Sequence, residues 1–153
     1  RIILENIFYQ NEEEVRKIHS TIGSQAIIMS MPACIEKNKL KQFVYTTKKI
    51  TEISDIFLKY IKNKYVSEVM LIDYINEGSK NKFNINLIKK FKIKDISLIV
   101  FGGIGEKILI NNLLKFNNIS AIAIGNSLNY SENKIQNLKL ISNKHFRKKN
   151  YNI

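Results

Sequence analysis

Residues 96–126 read ISLIVFGGIGEKILINNLLKFNNISAIAIGN. An apolar run, Ile96 to Phe101, stops at Gly102-Gly103. A stretch with apolar residues at helical spacing, Glu106 to Phe116, follows. A second apolar run, Ala121 to Ile124, stops at Gly125-Asn126. Short continuous apolar runs are what strands buried on both faces require, and a helix between two of them makes a strand–helix–strand unit. The glycines fall where each strand would hand over to the next element.

The same alternation extends toward the N-terminus. Val66 to Asp73 reads as a strand, followed by a helix from Asn84 to Phe91 with Asn84 as its N-cap. Ala26 to Met31 is another buried run, with Pro32 expected just past its end. Ile53 to Tyr65 carries apolar residues at amphipathic spacing, and Lys37 to Tyr45 reads as an excursion or hairpin. Asn11 to Thr21 opens with three glutamates, which suits a helix N-terminus, and Ile2–Leu4 reads as a first strand. Ser131 to Lys148 reads as a final helix. Five parallel strands alternating with helices predict an α/β fold, either an open doubly wound sheet or part of a (β/α)8 TIM barrel. A whole barrel takes ~250 residues, so these 153 would form a C-terminal half-barrel fragment, one domain over 1–153. Arg1 stands where a start methionine would, and the chain enters at once into a strand. A piece of a longer chain is therefore expected.

Composition narrows the class. About 44% of residues are apolar, enough for a core. No apolar run reaches the ~18 residues needed to cross a bilayer, so no membrane partner is expected. The single cysteine, Cys34, excludes an internal disulfide and any multi-cysteine metal site, and a reduced, cytoplasmic setting is expected. His19 and His145 show no ligand spacing; His19 reads as a surface residue, and no metal or cofactor is expected. The net charge of +12 comes from scattered lysines in an Ile-, Lys- and Asn-rich chain. Charge without a groove-reading motif reads as a solvated surface, so nucleic acid is not an expected partner.

In either α/β closure, ligands bind beyond the carboxyl ends of the strands. Phe101-Gly102-Gly103-Ile104-Gly105 is the strongest signal, because glycine lets a phosphate approach the backbone and a helix follows. Gly125-Asn126 ends the next strand the same way. The loops after the last two barrel strands often share a phosphate site. Gly103-Ile104-Gly105 lacks the third glycine of a dinucleotide fingerprint. Glu77, Gly78 and Ser79 follow a strand end, Cys34 follows another without a histidine partner, and Tyr45 to Lys49 offers hydroxyl and ammonium groups.

The order of these motifs resembles the second half of the cyclase subunit of imidazole-glycerol-phosphate synthase. The resemblance rests on Gly23-Ser24-Gln25, Phe43-Val44-Tyr45 with Lys48-Lys49 and Thr51, Glu68 to Leu71 followed by Glu77-Gly78-Ser79-Lys80, Gly102 to Gly105, and the tail from Asn129-Tyr130. That family folds as a (β/α)8 barrel and pairs with a glutaminase subunit. Ammonia released from glutamine attacks a phosphoribulosyl-formimino-imidazole ribonucleotide, giving imidazole glycerol phosphate for histidine biosynthesis. The resemblance implies a lyase whose substrate phosphate lies at Gly78, Gly102, Gly103, Gly125 and Asn126, with Asn6, Thr46 and Glu77 as further substrate contacts.

Several positions depart from the family pattern. Pro32 stands where the fifth-strand acid/base aspartate is expected, and proline neither gives nor takes a proton. Ile75 replaces a sixth-strand aspartate, Thr47 and Glu52 replace glycines, and Phe101 replaces a small hydroxyl residue. Similar barrels serve the amidation of bacterial surface or flagellar sugars, where the cyclase-like protein passes ammonia onward. Two readings therefore stand: cyclase, or non-catalytic ammonia-transfer subunit. A basic polyanion-binding module is a third, resting on charge alone.

Overall fold

The computed structural model describes residues 1–80, 82–130 and 134–140. Seven strands form one sheet: β1 (Ile2–Leu4), β2 (Ile27–Glu36), β3 (Lys39–Val44), β4 (Lys49–Thr51), β5 (Glu68–Asp73), β6 (Ser97–Phe101) and β7 (Ile119–Ile122). The helices are α1 (Ile7–Gln10), α2 (Glu12–Ile22), α3 (Asp55–Lys62), α4 (Asn86–Lys90), α5 (Lys107–Leu113) and α6 (Lys134–Lys139). Strands β1, β2, β5, β6 and β7 run parallel and lie side by side in chain order. A doubly wound sheet reverses its strand order at a switch point. This one never does, so the sheet is an arc of five strands from a (β/α)8 barrel.

Alternation along the strands separates two faces. Ile27, Met29, Met31 and Ala33 of β2, Val69 and Leu71 of β5, and Leu98 and Val100 of β6 are fully buried. They belong to one core with Phe8, Val15, Phe57, Tyr60, Leu87, Ile110 and Leu113 from the helices. The opposite face is the concave, barrel-interior side. Registered partners on adjacent strands share a face, so Pro32, Ile72 and Phe101 form its uppermost layer.

Two helices begin where side chains accept their first amide protons. Asn11 accepts from Glu14 N–H at the start of α2, and Ser54 accepts from Phe57 N–H at the start of α3. Asn84 accepts from Asn86 N–H just ahead of α4, close to its expected capping role.

The main correction concerns β2. It does not stop at Met31 but runs on to Glu36, with Pro32 and Cys34 inside it. The carbonyls of Ile27 and Ala33 accept from Ser67 N–H and Tyr74 N–H on the β5 side. Alternation then turns the Pro32 nitrogen to the other side. There the β1 pairing has ended opposite Met29, and the antiparallel register with β3 runs from Ala33 opposite Gln42 to Glu36 opposite Lys39. Pro32 thus falls between the two pairings, a position where a missing N–H is tolerated. Beyond Pro32, β2 turns back through Lys37 and Asn38, both at positive φ (46° and 62°), the two-residue loop of a primed hairpin. β3 and β4 complete an antiparallel meander on that edge. The final helix is described only over Lys134–Lys139; residues 131–133 and 141–148 of the expected segment lie outside the described residues.

Candidate functional site

A pocket of about 200 Å³ opens at the carboxyl ends of β5, β6 and β7. Gly78, Gly102, Gly103, Gly125 and Asn126 all line it, together with Glu77, Ser79, Phe101, Ile104, Ala123 and Ser127. Every position expected for a phosphate therefore comes to one place, from three loops separated by up to 48 residues. Asn126 Nδ2 donates to the Gly78 carbonyl at 3.0 Å and links the first loop to the last. Ser127 Oγ donates to the Ile104 carbonyl at 3.1 Å and links the last loop to the middle one.

The glycines have distinct physical reasons. Gly102 has φ +101° and Gly103 φ +65°, both in the left-handed region. A Cβ on Gly102 would lie 2.7 Å from the Asp73 carbonyl oxygen, and one on Gly103 would lie 2.9 Å from the Asn76 carbonyl oxygen. The Gly103 carbonyl also accepts from Lys82 N–H and Phe83 N–H. Close backbone approach between the β5 and β6 loops thus demands glycine at both positions, with or without a ligand. Gly125 has no positive φ, and its Cβ direction points at the Phe101 ring, 3.4 Å from Cε2. Gly78 has φ +77° with nothing within 4 Å of a Cβ.

Asp73 organises the first loop. It is buried, and its carboxylate accepts from Asn76 N–H at 3.2 Å, Asn76 Nδ2 at 2.8 Å and Asn84 N–H at 2.7 Å. These bonds fold the segment after β5 back over the β6 turn. Nothing in the sequence marked Asp73 for that role, since its partners lie up to 11 residues downstream.

The helix expected over Glu106 to Phe116 runs from Lys107 to Leu113 with Glu106 as its N-cap, and its N-terminus does not line the pocket. Glu106 makes no side-chain cap bond. Instead, a short 3-10 helix over Asn126–Tyr130 stands at the pocket, with Asn126 and Ser127 in the lining. A short extra helix after the last strands is the usual companion of barrel phosphate sites. The sequence reading missed it because its segment, Asn126 to Tyr130, has no apolar period.

Asn6 and Thr46 do not line the pocket. Asn6 precedes α1 without a side-chain cap bond, and Thr46 is exposed in the turn after β3. The neighbouring Tyr45 does reach the site's edge: its hydroxyl donates to Glu77 Oε2 at 3.0 Å. Burial first, then the Glu77 carboxylate, push the Tyr45 hydroxyl up to about 12, so it stays a donor at neutral pH. Glu5, at the end of β1, accepts from Ser30 Oγ at 3.2 Å on β2.

Two other expectations change. Cys34 is buried within β2 rather than following its end, and burial raises its thiol. That leaves it without thiolate character at neutral pH. His19 is half-buried, its ring 4.6 Å from that of Tyr65. Among the described residues, no cluster of three or more His, Cys, Asp or Glu side chains could hold a metal ion. None of their helices is long and apolar enough to cross a membrane.

The family model described as "Histidine biosynthesis protein" matches residues 1–134, which include the whole parallel arc and the pocket. The chain belongs to the histidine biosynthesis protein family. No curated protein matches it individually. Within this family member, the expected phosphate positions and the barrel arc fall together. Pro32, by contrast, occupies the carboxyl-end layer of the barrel interior, where its side chain has no proton to exchange.

Proposed function

We propose that the chain is a cyclase-like subunit of imidazole-glycerol-phosphate synthase type, which holds a phosphate monoester in the β5–β7 pocket and receives ammonia from a glutaminase partner. The observation that carries this reading is the convergence of Gly78, Gly102, Gly103, Gly125 and Asn126 on one pocket. In this reading the three loops grip the phosphate through backbone N–H groups and short polar side chains. The rest of the substrate extends across the carboxyl end of the sheet toward Glu77, Tyr45 and Glu5. The histidine biosynthesis family supports the pathway, and the order of motifs supports the cyclase branch.

Pro32 favours a second reading. With proline in the fifth-strand position, the subunit keeps the pocket but lacks that acid/base group, as suits a non-catalytic ammonia-transfer subunit in sugar amidation. The deciding experiment supplies the phosphoribulosyl-formimino-imidazole ribonucleotide and an ammonium salt to the chain. Product formation supports the cyclase. Substrate binding without product, together with gain of turnover in Pro32→Asp, supports a cyclase lineage that has lost its chemistry to one substitution. Substrate binding with continued inactivity in Pro32→Asp favours the ammonia-transfer reading, and absence of substrate binding sinks the cyclase reading.

A further inference from the structure

Phe101 ends β6 and lines the pocket, and its ring edge packs against Gly125, with Cε2 3.4 Å and Cζ 3.7 Å from where a Cβ of Gly125 would be. The ring therefore bridges the ends of β6 and β7 inside the lining. Pairing puts Phe101 beside Ile72, and Ile72 beside Pro32, in one layer of the concave face. Ile72 and Pro32 are buried, and Phe101 is the member of that layer that reaches the pocket lining. Glu77, Ser79, Asn126 and Ser127 supply the polar lining, on the loops rather than on this floor.

The geometry points to Phe101 as the specificity-determining residue of the pocket, selecting phosphate monoesters whose carbon portion presents an apolar face over inorganic phosphate. The inference rests on the phosphate reading of the pocket and goes beyond it. A free phosphate has polar oxygens on every side. One of them must lose water against the ring without gaining a hydrogen bond, which is unfavourable. An ester turns its oxygens to the loops and lays carbon on Phe101, where removing apolar surface from water is favourable. An edge contact of this size shifts the preference by roughly tenfold.

The test titrates the full chain calorimetrically with inorganic phosphate and with phenyl phosphate, an ester with an apolar planar face. The same titrations follow for Phe101→Ser and Phe101→Leu, with melts to verify folding. Wild type is expected to favour phenyl phosphate by roughly tenfold. Phe101→Ser is expected to collapse that ratio toward unity, largely by binding inorganic phosphate better. Phe101→Leu, which keeps an apolar side chain should the serine variant fail to fold, is expected to retain part of the preference. Equal affinities in wild type, or a ratio unchanged in both variants, would overturn the assignment while leaving the phosphate pocket standing. Binding of neither ligand would overturn both.

Discussion

The carboxyl ends of β5, β6 and β7 differ from that of β2. At the former, strands stop early and short loops gather a polar pocket around glycines. At the latter, the strand runs through Pro32 to Glu36 and turns into an antiparallel meander. One end has loops of the kind that hold ligands. The other carries a rigid apolar residue, Pro32, in its interior layer and runs on into a hairpin. A pocket built on glycine loops depends on backbone shape, whereas a strand position such as Pro32 depends on a single side chain, so the two can change independently within one barrel rim.

The largest expected effect breaks the glycine end directly. Gly102→Ala forces a Cβ to 2.7 Å from the Asp73 carbonyl at φ +101°, backbone against backbone. A loss of about 3 kcal/mol or more is expected in urea melts, with or without ligand. Asp73→Ala should come next. It leaves Asn76 and Asn84 N–H groups without their acceptor, at a cost of about 2–3 kcal/mol, and it should loosen the pocket's first loop. Gly125→Ala makes only a 3.4 Å contact with the Phe101 ring and should cost about 1 kcal/mol or less by thermal melt.

The smallest effect serves as a control remote from both ends. Glu12 on α2 pairs with Lys59 of α3 and Arg16 of its own helix. The hydrogen bond from Lys59, then that from Arg16, holds its carboxyl below the ordinary range. A carboxyl lowered in the folded state stabilises above its unfolded value and stops doing so as pH falls through the folded one. Melts of Glu12→Gln should therefore lie slightly below wild type at neutral pH and meet it in acid. A gap that persists in acid would mean that Glu12 acts by packing rather than by charge.

The two ends were unequally legible in the sequence, for one physical reason. Gly102, Gly103 and Gly125 are local signals: a strand stops, a glycine follows, and the turn is written in neighbouring residues. The five parallel strands were legible too, because continuous apolar runs announce burial on both faces. Pro32 misled because proline ordinarily ends a strand, and only the pairing shows that it falls between the β1 register and the β3 register. The hairpin turn at Lys37 and Asn38 carries no glycine despite its positive φ angles, so its type was hidden. Asp73, Tyr45 and the apolar layer of Pro32, Ile72 and Phe101 depend on contacts between distant segments, which no local pattern records.

If the β5–β7 loops hold a phosphate and are not merely tight turns, Gly78 is the position that tells the two apart, because a Cβ there meets nothing within 4 Å. Its φ of +77° lies on the positive side, where aspartate is among the side chains best tolerated. Gly78→Asp therefore adds a carboxylate at the pocket without a steric clash, and the melt reads the backbone strain of its positive φ. Calorimetric titration with phenyl phosphate, paired with a melt, should show binding in wild type and its loss in a folded Gly78→Asp. Unchanged affinity in that folded variant would contradict the account and leave the glycines as turn residues only.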